Sequence, residues 1–425
     1  GPIVRQVELL TQETNGLRPA DGAAARRARS RTSIEPMPPP DAYVPESEAP
    51  ASAEETRSAY VDQSVVAYLL YGVGAVTAFL AVALSLSDAA AALHSSMLAI
   101  GLLGAGILGD RIDRLLGSRR AHWLAYLLLI GASVCIVTAP AFAVTLAGAG
   151  MVGLGTGLLL AHLNRTLTRG GGALARVRMS RSALVAMVAT ISVPLSISLG
   201  EYSGLGWQLA FLVAAGLIAT GFWGSRYRVQ VESQVAASAG RLSRGYWLTW
   251  WLIVLGVSVE FSLVFWAATL VERQAGISLA DATLVAASFY AGMATSRVGL
   301  SFHAISRRDP IMLMRLGLAI ALVGTVLAWA TGEVAIAAVG IYLGGMGTGF
   351  QYPLGVAVAL SFVPGLQDRG SARLILASGV AILVAPFVLG LVADASGVSI
   401  GWLLIPALCA AALALSIPVG RARMA

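Results

Sequence analysis

From Val65 almost to the last residue, apolar stretches of about 20 residues alternate with short polar loops, and few folds can accommodate that pattern. A chain crossing lipid must satisfy its own backbone polar groups, so each stretch reads as a helix. Twelve such spans fit, near residues 65–86, 93–109, 121–139, 141–163, 183–200, 206–223, 247–270, 282–303, 311–330, 334–360, 372–393 and 398–418. The composition agrees, with 57% hydrophobic residues, 12% charged residues and a mean hydropathy of +0.77. Soluble domains carry about 25% charge.

An even number of spans puts both ends of the chain on one side, and arginine shows which side. The sequence has no lysine, and 28 of its 29 basic residues lie in the N-terminal tail, in the loops after even-numbered spans or at the C-terminal end. Only Arg273 falls on the opposite face. The positive-inside rule then places both termini in the cytoplasm, as expected for a multi-pass protein of the inner (cytoplasmic) membrane. The same segregation accounts for the +7 charge and pI near 9.8 without a nucleic-acid partner. Absence of lysine excludes a P-loop and a pyridoxal Schiff base.

Residues 1–63 read as a disordered cytoplasmic tail, with Arg26, Arg27, Arg29 and Arg31 followed by a proline run and then by Glu46, Glu48, Glu54 and Glu55. Such a segment cannot bury enough apolar surface to fold. It has no apolar core of the kind a cleavable leader needs, so none is expected. The rest divides into a first six-helix bundle over 64–224, a cytoplasmic linker over 225–245 and a second bundle over 246–420. These bundles repeat one another. Gly153-Leu-Gly155-Thr156-Gly157 in span 4 recurs as Gly345-Met-Gly347-Thr348-Gly349 in span 10, and the same offset relates Arg181 to Arg373 and Pro194 to Pro386. Ser118-Arg119-Arg120 recurs as Ser306-Arg307-Arg308, and Gly206-Trp207 as Gly401-Trp402. Colinear pairs at a nearly constant offset indicate two parallel halves, a repeat found in many secondary transporters. The expected fold is therefore an all-α membrane protein of 12 transmembrane helices in two pseudo-symmetric bundles.

The loop after span 2 reads Gly106-Ile-Leu-Gly109-Asp110-Arg111-Ile-Asp113-Arg114-Leu-Leu-Gly117-Ser-Arg119-Arg120. It resembles motif A of the major facilitator superfamily, whose Asp-Arg pair sits between helices 2 and 3. That resemblance spans residues 65–418 and implies a conformational latch of Asp110 and Arg111 with Arg165 or Arg181. Gly101, Ala105 and Gly109, like Gly153 and Gly157, stand four residues apart and read as helix-packing positions. In the second half, Val259-Glu260-Phe261-Ser-Leu-Val-Phe265-Trp266, Gly344 through Gln351-Tyr352-Pro353, and Ser378-Gly379 through Pro386 to Asp394 resemble bacterial fucose-permease-like members. Fucose permeases are proton-coupled sugar importers with acidic residues in the first half, and spans 1, 4 and 5 here contain none. Drug/proton antiporters of the superfamily carry a glycine-rich motif in helix 5, of which span 5 keeps only Pro194.

Of the twelve acidic residues after position 63, only Glu260 lies mid-span. An ionised group there is costly, so it reads as the proton-coupling residue. Gln351 and Tyr352 also lie mid-span, where the repeat partners are Leu159 and Leu160. Together with the aromatic faces of Trp266, Phe265, Tyr68 and Tyr71 they form the candidate substrate-binding set. His94, His122, His162 and His303 sit at span ends, and none is at ligand spacing from another His or Cys. Cys135 and Cys409 are far apart inside apolar runs. No metal, cofactor or catalytic residue is expected. A polytopic enzyme would need a cluster of intramembrane catalytic groups, and a channel a filter or a ring of charges. The reading is thus a secondary active transporter, not an enzyme. It moves a small organic solute with protons by alternating access, as a monomer in the lipid bilayer, and efflux by proton antiport is the alternative.

Overall fold

A computed structural model describes residues 51–169, 171–224, 240–300, 302, 305 and 307–424; the expected tail up to residue 50, most of the 225–245 linker and His303 lie outside the described residues. The described chain is helical throughout. Its helices are α1 (Ala53–Ala83), α2 (Asp88–Leu116), α3 (Ser118–Thr138), α4 (Phe142–Thr168), α5 (Gly172–Tyr202), α6 (Leu209–Gly224) and α7 (Arg244–Ala275). They continue as α8 (Leu279–Gly299), α9 (Pro310–Trp329), α10 (Val334–Thr348), α11 (Gln351–Ser361), α12 (Gln367–Ser396), α13 (Val398–Trp402) and α14 (Leu404–Met424). Taking α10 with α11 and α13 with α14, ten of these units are long and apolar enough to cross a membrane. The shorter α6 and the charge-ended α8 complete twelve crossings. Large apolar side chains such as Ile107, Val188, Leu212 and Val323 are exposed on outward helix faces, as lipid contact requires and water contact penalises.

The first helix starts earlier than the hydropathy suggests. Residues 53–63, expected in the tail, form its first three turns. Ser52 and Glu55 make a capping box, Glu55 N–H donating to Ser52 Oγ at 3.2 Å and Ser52 N–H to Glu55 Oε2 at 2.7 Å. Glu55 is also paired with Arg169 at the end of α4, and Arg178 of α5 donates to the Ala51 carbonyl. Polarity here marks a helix start tied down by arginines rather than a solvated tail.

Span 10 is broken where a single helix was expected over 334–360. Pro353 has no N–H to offer the carbonyl of Gly349. The carbonyl of Gly347 is taken instead by the side chain of Gln351, whose Nε2 donates at 3.1 Å. α10 therefore ends at Thr348 and α11 restarts at Gln351.

The repeat appears as repeated contacts. A side chain at Gly101 would strike the Gly150 carbonyl, and one at Gly153 the Leu98 carbonyl, where α2 crosses α4. In the second half Gly292 meets the Tyr342 carbonyl and Gly345 the Phe289 carbonyl, where α8 crosses α10. Gly155 packs on Leu129 and Ala125 of α3 as Gly347 packs on Ala321 and Gly317 of α9. Corresponding partners are 191 or 192 residues apart. Small residues allow these close backbone crossings, which apolar lipid alone would not drive.

Candidate functional site

The two halves meet along α2 with α12, α5 with α8, and α1 with α7. Between them, about halfway along α1 and α7, lies a cavity of about 160 Å³. The first half contributes Tyr71 of α1, Leu102 of α2 and Thr156 of α4, and the second Glu260 and Phe261 of α7, Arg297 of α8, Tyr352 of α11 and Ser378 of α12.

Glu260 is buried, only 4% exposed, and accepts a hydrogen bond from the Tyr71 hydroxyl at 2.5 Å. This bond joins the halves at the level of the cavity. Tyr71 stacks on Phe261, with ring centroids 5.6 Å apart, and meets Tyr290 edge-on at 5.8 Å. The carboxylate thus sits in an aromatic cage, with the charge of Arg297 acting on it from α8. Tyr352 and Ser378 line the same wall of the cavity. A buried carboxylate with a single hydrogen-bond donor and an apolar surround can exchange a proton far more readily than one fixed by several charged partners.

Of the six residues expected to bind substrate, the cavity brings together Tyr71 and Tyr352. The other four face elsewhere. Tyr68 is spent within the first half, bonded to Ser196 at 2.7 Å and donating to the Ala210 carbonyl at 2.8 Å. Trp266 donates to the Pro386 carbonyl at 3.1 Å. Phe265 packs on α1 at Gly74, where an added Cβ would come within 3.1 Å of its ring and 2.5 Å of Val264 Cγ1. Gln351 is 1% exposed and donates to the Met314 and Gly347 carbonyls. Hydropathy places these residues at the right depth but does not say which way they point.

The latch residues also separate. Arg165 contacts Asp110 at 3.4 Å, but its closer partner is Asp113, at 2.5 Å. Asp113 is buried and lies 3.2 Å from His162 Nε2, while His162 Nδ1 stands 2.7 Å from the Leu158 carbonyl. Arg111 and Arg181 are exposed. The histidines, unpaired by sequence spacing, do meet in space: His122 and His162 rings are 5.5 Å apart, and His122 Nε2 lies 3.7 Å from Asp62 of α1. Asp62 is fully buried and accepts from Tyr126. A span taken to start at residue 65 hides it.

Two further groups escaped the sequence reading. Arg297 counted only as a basic loop flank, yet it lines the cavity. Arg273 counted only as the exception to the charge rule. It makes a bidentate pair with Asp88, both contacts at 2.6 Å, joining α7 to the start of α2, while Asp394 of α12 accepts the backbone N–H groups of Asp88 and Ala89. Ser198 bonds the Ala280 carbonyl and Tyr202 bonds Asp281 between α5 and α8 at the same end. Cross-half hydrogen bonds and ion pairs among the described residues thus lie at the arginine-poor end or mid-helix, apart from a contact between Arg297 and the Met187 sulfur.

No family model matches the chain, and no curated protein matches it in sequence. Solved structures match its fold. A bacterial homolog of the human lysosomal transporter Spinster, in an inward-facing and occupied conformation, matches with a TM-score of 0.68 at 14% identity, over 86% of this chain and 96% of that one. The nucleoside transporter NupG matches with a TM-score of 0.67 at 12% identity, over 86% and 98%. A D-xylose-proton symporter matches with 0.69 at 15%, over 85% and 96%. With these matches, the repeated glycine crossings and the lipid-facing helices, the chain is a multi-pass membrane protein with the major facilitator fold.

Proposed function

We propose that this chain is a secondary transporter, not an enzyme, that moves a small organic solute across the cytoplasmic membrane by alternating access, with Glu260 carrying the coupling proton. The observation that carries this reading is the cavity at mid-depth, walled by both halves, whose buried carboxylate is bonded across the interface by Tyr71. Rocking of one half against the other would break that bond, so protonation of Glu260 and movement are linked by geometry. The three solved structures compared above are named as transporters, one of them coupled to protons, and the fold they share supports the reading. Both termini lie on the cytoplasmic side, where the arginines gather, and a monomer contains the whole cavity. The arginine-poor end, where cross-half bonds such as Arg273 with Asp88 and Ser198 with the Ala280 carbonyl lie, is then external. The likeness of residues 255–395 to fucose-permease-like members supports a hydroxylated solute as one class to test.

Single cysteines at Ser378 in the cavity and at Ala81 on the arginine-poor side, in a background lacking Cys135 and Cys409, test the reading. Membrane-impermeant maleimide should reach Ser378→Cys from either face of sealed vesicles, and accessibility from the outside should fall when Ala81→Cys becomes protected. Labelling of the cavity from one face under every pH and solute condition would refute alternating access.

A further inference from the structure

The cavity holds two opposite charges that are not joined. Glu260 is committed to the Tyr71 hydroxyl. Arg297 enters from α8 with a buried Nε that has no hydrogen-bond partner, and among the described residues its hydrogen-bond contact is with the Met187 sulfur, at 3.7 Å. A thioether is a weak acceptor, and a guanidinium stays charged at every working pH. Left so in a low-dielectric site, it is costly, and the cost falls when an anion supplies two acceptors to its fork. The remaining walls are mostly apolar or aromatic, from residues such as Val66, Leu160, Phe261 and Ile375, with the hydroxyls of Thr156 and Ser378 among them.

Charge balance then constrains what can enter. With Glu260 ionised, its charge offsets Arg297 across the empty cavity. The groups that face Glu260 are Tyr71 from α1, Tyr290 and Arg297 from α8, and Tyr352 from α11. Phenols keep their protons at neutral pH, so Glu260 is the group that titrates. Once it takes a proton, Arg297 loses its counter-charge and an entering anion replaces it. A cation would meet Arg297 unshielded.

Resting on the reading of this cavity as the substrate site, we infer that the substrate class is an organic monocarboxylate with an apolar body, its carboxylate held by Arg297 and its body against Tyr71, Phe261 and Tyr352, accompanied by one proton on Glu260. Proton and monoanion together carry no net charge.

Binding to the purified full chain in detergent tests this without requiring transport. Benzoate and hexanoate are compared with benzamide and hexanamide by thermal unfolding and by quenching of tryptophan fluorescence. The acids should stabilise the protein and quench, and the amides should not. Arg297→Gln should weaken acid binding by about tenfold to a hundredfold, the loss expected for a hydrogen-bonded charge, and Arg297→Lys should restore part of it. Glu260→Gln, fixed in the neutral form, should bind the acids at least as tightly at neutral pH as the wild type does at acidic pH. Should Arg297→Gln fail to fold, Arg297→Lys and the pH behaviour of Glu260→Gln decide. Amides binding as well as acids, no acid binding at all, or an acid preference untouched at position 297 would overturn the inference. Acid binding without alternating exposure of Ser378→Cys would instead overturn the transport reading and leave this one standing.

Discussion

Glu260 and Asp113 show how differently two buried carboxylates can be employed. Glu260 accepts from one neutral donor, the Tyr71 hydroxyl, and among the described residues has no ion-pair partner. Asp113 has the Arg165 guanidinium at 2.5 Å, which favours its ionised form, and His162 Nε2 at 3.2 Å. Replacing Glu260 with Gln should abolish accumulation driven by a pH gradient while leaving counterflow exchange of a bound acid measurable; full gradient-driven uptake in that variant would move the coupling elsewhere. Replacing Asp113 with Asn strands Arg165 and His162 and should cost about 3 kcal/mol, seen as a clearly lower Tm. Asp110→Asn should barely change the Tm, because Asp110 is 53% exposed and its contact with Arg165 is long. Equal losses at the two positions would show that the exposed aspartate is the structural one. Sequence spacing could not rank these aspartates. Three residues apart on one helix, they lie on neighbouring faces, and only the position of α4 decides which is covered.

At the scale of elements, the glycine crossings of α2 with α4 and of α8 with α10 should be the least tolerant positions. A Cβ at Gly153 or Gly345 meets a backbone carbonyl, which cannot swing aside as a side chain would, whereas one at Gly216 meets nothing. Valine at either crossing should therefore sharply reduce folded, monodisperse protein, to a similar degree in both halves, while Gly216→Ala leaves the yield unchanged; size-exclusion profiles check this. Much of this was legible in the sequence, since the repeated glycine motif marks both crossings. The break between α10 and α11 was legible only as the missing N–H of Pro353. Apolar content runs straight through it, and only the side chain of Gln351 folding back on the Gly347 carbonyl shows where the ladder ends. The early start of α1 was legible in part, as Ser52 and Glu55 have the spacing of a capping box, but the arginines that anchor it come from α4 and α5.

For the whole molecule, a small set of cross-half contacts joins the halves at the arginine-poor end, of which the Asp88–Arg273 pair is the most strongly charged. Arg273 is 44% exposed and Asp88 12%, so the pair is partly screened and worth about 1 kcal/mol. Arg273→Ala should shift the population toward opening at that end by a few-fold, read as faster labelling of Ala81→Cys, and the swap Asp88→Arg with Arg273→Asp should restore the wild-type rate. Unchanged labelling in Arg273→Ala would mean that packing alone holds this end shut.

The sequence by itself determined the number of crossings, the side on which the arginines gather, the parallel repeat and the one mid-span carboxylate. Each follows from a rule of transfer free energy or of backbone satisfaction that acts along the chain and does not depend on what a helix meets. Which side chains face the cavity was decided only by the tertiary structure. A helix buried on several sides presents apolar residues in every direction, so periodicity no longer points inward, and the rotation of α7 and α11 is set by glycine contacts such as Gly74 on Val264 and Gly256 on Gln351. Those contacts turn Trp266 and Gln351 into structural straps, leave Tyr71 and Tyr352 at the cavity, and bring in Arg297, which the sequence presents as one more arginine at a helix end.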